Sequence, residues 1–241
     1  MEYLRPTDSS ELTQSMIAAE NARFMSRVYS WMTFGVAITG IIAFQISQNA
    51  DLAMAIVTNR VLFYGIVIAQ LGAVIGLSML MPRINSWTAA GIYTVYAALT
   101  GVTLSTIFLV YTSSSIAQVF ALTACSFGGL SVFGFVTKRD LGPVASFCMM
   151  GLFGMVGFGL ISLFFPSLMS EVTSKVYGAV GVVVFAGLTA YDTQRIKQLN
   201  ILGGQNVEGA RKAAIFGALT LYLDFVNLFL SLLRITGKRR N

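Results

Sequence analysis

Residues 219–235 read "LTLYLDFVNLFLSLLRI". The stretch is almost wholly apolar, yet it holds one acid, Asp224, in its middle. It lies within Ala213–Leu233, whose sole charged residue is Asp224. About 20 apolar residues suffice for a helix to cross a bilayer. Asp224 is the twelfth residue of this span, roughly 16 Å from its start at 1.5 Å per residue, so it sits near the midplane. An aspartate at that depth costs about 2.5–3.5 kcal/mol on insertion scales. It must therefore face protein or water and needs a partner. Asn227, three residues on, shares its face.

The rest of the chain fits that reading. Of its 241 residues, 56% are hydrophobic and 11% charged, against about a quarter charged in an average soluble domain. Too little charge is left to cover a water-facing surface, so the chain is an integral membrane protein. Long continuous apolar runs, rather than alternating segments of about ten residues, exclude a membrane barrel. The fold class is all-α.

Seven spans can be marked off: Val28–Ile46, Val61–Met81, Trp87–Val110, Ile116–Thr137, Leu141–Phe165, Val176–Tyr191 and Ala213–Leu233. The polar break "YTSSS" at 111–115 divides the third from the fourth, "KRD" at 138–140 is a tight basic turn, and a polar, basic loop is expected over 193–212 with "LGGQN" at its centre. Residues 1–26 read as a cytoplasmic N-terminal tail with no signal-peptide pattern, 27–235 as the transmembrane domain, and 236–241 as a basic C-terminal tail. The similar short basic turns after the second and fourth spans suggest two inverted three-helix repeats, with the seventh helix alone; such repeats are common in transport proteins. Gly72 and Gly76, and Gly151, Gly154 and Gly157, have the spacing of close-packed helix seams.

The net charge is +6, but the basic residues lie in short segments between apolar runs. That distribution fixes membrane orientation, and no basic stripe or motif points to nucleic acid. Ten Lys and Arg fall on the N-terminal side of the seven-span arrangement and six on the other, which places the N-terminus in the cytoplasm. A re-entrant last helix would instead put both ends inside. The absence of histidine excludes Ser-His and Cys-His catalysis and histidine pH switches. Cys125 and Cys148 lie inside apolar runs without CxxC spacing and read as small packing residues. No cofactor is expected.

Asp192 closes the sixth span, and a helix continuing through Arg195 and Lys197 would bury it by a turn or more. Two carboxylates brought together in a low-dielectric site cannot easily both ionise, so they share a proton and titrate near neutrality. Their oxygens also suit a hard cation such as Ca²⁺. Asp192 and Asp224 are therefore the candidate pH-sensing, ion-path and calcium-contacting residues. Arg83, ending the second span, is a candidate latch, because an Arg-carboxylate fork can hold a helix closed until the carboxylate is protonated. It reads equally as a basic anchor.

At these residues the chain resembles the Bax inhibitor-one family, the transmembrane Bax-inhibitor-motif proteins, in a bacterial inner-membrane branch. The resemblance rests on "FAGLTAYDTQRIK" (185–197) and "GALTLYLDFVNLFLSLLRI" (217–235), with "YAALTGVTLSTIF" (96–108) and "TKRDL" (137–141) adding to it. It implies six helices packed around a central seventh, and a pH-sensitive calcium leak governed by an aspartate pair that matches Asp192 and Asp224. It also implies an arginine latch matching Arg83, although "LMPRINSW" is a looser match. The transported ion would be Ca²⁺, with protons and the lipid bilayer as the other partners. Two alternatives stand beside the channel. One is a regulatory membrane protein acting through a membrane-protease or cell-death partner. The other is an intramembrane aspartyl protease, for which "YD" at 191–192 is suggestive, but "LYLD" lacks the Gly-x-Gly-Asp context.

Overall fold

The computed structural model describes residues 9–203 and 207–240. Among them the helices are α1 (Ser9–Ser47), α2 (Ala50–Thr58), α3 (Arg60–Leu80), α4 (Ser86–Leu104), α5 (Ile107–Val110), α6 (Ser113–Val136), α7 (Gly142–Phe164), α8 (Glu171–Gly203) and α9 (Val207–Thr236). A 3₁₀ turn at Pro166–Leu168 precedes α8. Seven helical segments are long and apolar enough to cross a membrane, α4 and α5 counting as one.

Local chemistry sets the ends. Asn49, Asn59 and Asn85 accept backbone N–H bonds from Leu52, Leu62 and Thr88 at 3.1, 3.1 and 2.8 Å, capping α2, α3 and α4. Pro143 stands in the first turn of α7, where a missing N–H costs nothing. The α4–α5 break falls where Ser105 and Thr106 turn their hydroxyls back onto Val102 O and Thr103 O, a local bond that competes with the helix ladder.

The largest difference from the sequence expectation is at 193–212. No long loop exists there. α8 runs on to Gly203 and α9 begins at Val207, so only 204–206, within "LGGQN", lie outside the described residues. The polar residues after Asp192 stay helical because the α6–α7 turn satisfies them. Gln194 donates to Arg139 O at 2.8 Å and accepts the Leu141 N–H at 3.1 Å. Lys197 donates to Phe135 O at 3.0 Å and lies 4.7 Å over the Phe135 ring. At the other end of the hairpin Lys212 donates to Met81 O and Ile84 O, and Glu208 accepts from the Ser86 N–H and hydroxyl. The first helix also starts earlier than expected, running unbroken from Ser9 through the boundary at residue 26; residues 1–8 lie outside the described residues.

α9 is the axis of the bundle. In its most apolar window 61% of residues are buried, against 6% for α3 and 11% for α7. It packs on α1, α4, α6 and α8, whereas α3 leans on α4 and α7 on α8. Each trio of spanning helices thus has the same pairing, its third member touching both others, and its first and third touching α9.

Close approach comes from glycines, but not from all the expected ones. A Cβ at Gly72, Gly76, Gly154 or Gly157 would meet nothing within 4 Å. Spacing shows that glycines share a face; it does not show that a neighbour covers it, and among the described residues none covers these four. Of the second set only Gly151 packs, against Val184. The tight seams lie instead at Gly101 against Thr39 O and Ile42, and at Gly134 against Ala190 O.

Opposite Asp224 on α9, Tyr222 is fully buried. Thr39 donates its hydroxyl hydrogen to Ala97 O at 2.8 Å, so the 2.7 Å bond between Thr39 and Tyr222 has the tyrosine as donor. Tyr93 and Tyr96 meet the Tyr222 ring edge-on at 6.0 and 5.7 Å. Tyr222→Phe keeps the ring contacts and deletes one buried bond. Thermal unfolding in detergent should show a loss of about 1 kcal/mol, and an unchanged midpoint would mean the bond contributes nothing.

Candidate functional site

Asp224 and Asp192 are brought together. Ile196 packs over Gly217, and Ser231 packs over Gly181. This antiparallel register places Asp192 opposite Leu221, about 4.5 Å along the axis from Asp224 at 1.5 Å per residue. Side chains lean toward the N-terminus of their own helix. On antiparallel helices, Asp192 therefore leans inward and Asp224 leans outward, and the two carboxylates come within hydrogen-bond reach of each other. The expected sixth span, Val176–Tyr191, ends just before Asp192. With α8 extending to Gly203, Asp192 lies about 17 Å inside the helix end.

The pair sits in a cleft of about 690 Å³ between α7, α8 and α9, lined among others by Asp140, Tyr191, Asp192, Arg195, Thr220, Asp224 and Asn227. The Asp140 end of the cleft is the α6–α7 turn, pinned to α8 by Gln194. Asp224 is 5% exposed, and its Oδ2 is a buried oxygen with no hydrogen-bond partner. Asp192 is half-buried. Buried polar atoms are nearly always satisfied, so an orphaned oxygen on a carboxylate that neighbours a second carboxylate marks a place where a proton or a cation belongs. No cluster of three or more acidic, cysteine or histidine side chains suited to a metal occurs among the described residues. Ca²⁺ takes six to eight oxygens, so two carboxylates with the Thr220, Tyr191 and Asn227 oxygens nearby suit transient contact better than tight storage.

Asn227 lines the cleft as its spacing from Asp224 implied, its amide donating to Leu223 O at 2.9 Å. Arg83 is not brought to the pair. It is exposed in the turn after α3, α3 packs on α4, and Arg83 does not line the cleft. The guanidinium in the cleft is Arg195, whose charge acts on Asp192. Arg195 stands one helical turn after Asp192, at i+3, a spacing that puts two side chains on one face and is visible in "YDTQR".

A family model described as "Inhibitor of apoptosis-promoting Bax1" matches residues 21–241. The chain is 44% identical over 218 residues to Inner membrane protein YbhL of Escherichia coli strain K12, covering 90% of this chain and 92% of that protein. It is 39% identical over 219 residues to an uncharacterized protein of Borreliella burgdorferi, with 91% and 93% covered. With an uncharacterized membrane protein of Streptococcus pyogenes serotype M3 the identity is 35% over 219 residues, with 90% and 93% covered.

Proposed function

The chain belongs to the Bax inhibitor-one family, and on that premise we propose that it is a pH-sensitive calcium-leak channel gated by Asp192 and Asp224. The observation that carries this reading is the orphaned Asp224 oxygen held against a second carboxylate in a cleft. Like charges that close in a low-dielectric site hold a shared proton. Uptake or loss of that proton changes both the charge a passing cation meets and the attraction of the pair for a guanidinium. Initial Ca²⁺ influx into liposomes holding only this protein, followed over a range of pH, tests the reading. A protein that carries no flux at any pH sinks it and leaves the partner-dependent role. Cleavage of a model transmembrane substrate would show the protease instead.

The location we propose is a bacterial inner membrane, as the printed name of YbhL states for that relative, with the N-terminus cytoplasmic. The turns near Met81 and Arg139 are tied to the α8–α9 hairpin. Residues 237–240 lie at the other end, where Tyr111 bridges Arg239 and Thr112 N–H donates to Lys238 O. The C-terminal residues are then external. An Asn241→Cys chain with Cys125→Ala and Cys148→Ala should react with an impermeant thiol reagent from outside only. Labelling from the cytoplasmic side alone would reverse the assignment.

Arg83 serves as a latch only in a state that carries it toward the pair. α3 is the least buried of the spanning helices, which makes it the one least held in place. Arg83→Ala should then raise resting Ca²⁺ leak at neutral pH. Flux equal to wild type at equal insertion, with Arg83→Lys also silent, removes Arg83 from the mechanism and leaves it a membrane anchor.

A further inference from the structure

α1 and α6 flank α9 without closing on each other. Between them runs a groove of about 1040 Å³, bounded by Ala22 and Phe135 at one end and by Val36 and Phe120 at the other, with Phe225 of α9 behind it. Ala22 to Val36 is about 21 Å along the helix axis, more than half of the roughly 30 Å hydrocarbon core. Beyond Phe120 the groove shrinks to about 90 Å³. Phe120 causes the pinch, stacking edge-on against Phe225 at 5.5 Å and Phe229 at 6.2 Å. The wide part is therefore one leaflet deep.

The open end is cationic. Arg23 and Arg27 on α1, and Lys138 and Arg139 just past α6, are exposed. None of the four forms a salt bridge among the described residues, where Lys175 and Glu171 make the only one. Of the acids adjacent in sequence, Glu20 is exposed, and Asp140 is engaged in accepting the Gly142 N–H at 2.9 Å. One turn in, Tyr29 is half-buried in the groove wall, and its hydroxyl makes no hydrogen bond among the described residues.

We propose that this groove is a binding site for an anionic phospholipid of the leaflet on the Arg23 side. Its acyl chains lie between α1 and α6 as far as the Phe120–Phe225 pinch. Its headgroup phosphate meets Arg23, Arg27, Lys138 and Arg139, and the Tyr29 hydroxyl is within the depth of the glycerol esters. This site is independent of the calcium reading, because it shares no residue with the carboxylate cleft.

Native mass spectrometry of the full chain, with phosphatidylglycerol or phosphatidylcholine of identical chains added, tests it. Wild type should retain one phosphatidylglycerol and prefer it to phosphatidylcholine. Arg23→Gln and Arg27→Gln should each cut that preference about fivefold while leaving chain binding intact. A side chain at Gly128 projects into the groove without meeting any atom within 4 Å. Gly128→Phe should therefore obstruct it and sharply reduce retention of both lipids at unchanged unfolding temperature; the smaller Gly128→Leu gives the same test should phenylalanine perturb folding. Equal retention of the two lipids by wild type, or unchanged retention in both Gly128 variants, overturns the proposal. A dimer that Gly128→Phe dissociates also overturns it, since the occupant is then a second copy.

Discussion

Asp192→Asn and Asp224→Asn should each give Ca²⁺ influx into liposomes that is high and nearly flat from about pH 5 to 8, where wild type changes steeply within that range. The sign follows from the charges in the cleft. On the proposed gating, the pair carries its full negative charge above the transition, and attraction to a guanidinium would hold the closed arrangement. As pH falls the pair takes up a proton, that attraction weakens, and flux rises. Asparagine copies the protonated shape and cannot ionise, so either variant behaves as the acid form at every pH. One shared proton allows at most about a tenfold change in flux per pH unit. The pair titrates as a unit, so the double variant should add little to either single one. Additive effects, or a flat wild-type profile, would show that Asp192 and Asp224 are not a coupled sensor.

The second large effect is expected at a residue with no polar atom beyond its backbone. A Cβ added at Gly134 would meet the Ala190 carbonyl oxygen, with Ala190 C at 2.9 Å and Cα at 3.0 Å. These are backbone atoms in the middle of α8 and cannot swing aside. Gly134→Ala must therefore part α6 from α8, at a cost of about 1–3 kcal/mol in thermal unfolding in detergent. Ala190 is two residues before Asp192, so parting that seam also moves Asp192 relative to Asp224, and the pH profile of flux should flatten. Gly157→Ala is the control. Its new methyl meets nothing within 4 Å, and a helical glycine replaced by alanine gains about 0.5–1 kcal/mol. Equal behaviour of the two variants would mean the α6–α8 seam is loose enough to accept a methyl group.

The spans were legible because charge is so rare in this chain that its positions alone mark the membrane boundaries. The central helix was legible only in part: Asp224 could not face lipid, but that its helix is the axis came from the family resemblance. Where the sequence misled, polarity was taken for a loop. Gln194, Lys197, Glu208 and Lys212 are polar because they hold neighbouring turns, and their helices run on past them. That error placed Asp192 at a terminus and hid how it reaches Asp224, which the side-chain lean of antiparallel helices explains. Gly72 and Gly157 misled because periodicity reports a shared face and not the neighbour that covers it. Arg195 went unassigned for a related reason, since a basic residue after an apolar run reads as an anchor until the run is seen to continue.

The most enclosed helix is also the last of the seven to be synthesised. At roughly 5–20 residues per second, the ribosome takes about 2–6 s to pass from Asp192 to Asp224. During that interval α8 has no α9 to pack against, and Asp192 has no second carboxylate. The Thr39 hydroxyl likewise waits for Tyr222. The six helices made first must therefore persist with the polar groups that face α9 uncovered, held by whatever shields them, until the seventh helix arrives. Slowed translation between 193 and 224 lengthens that wait.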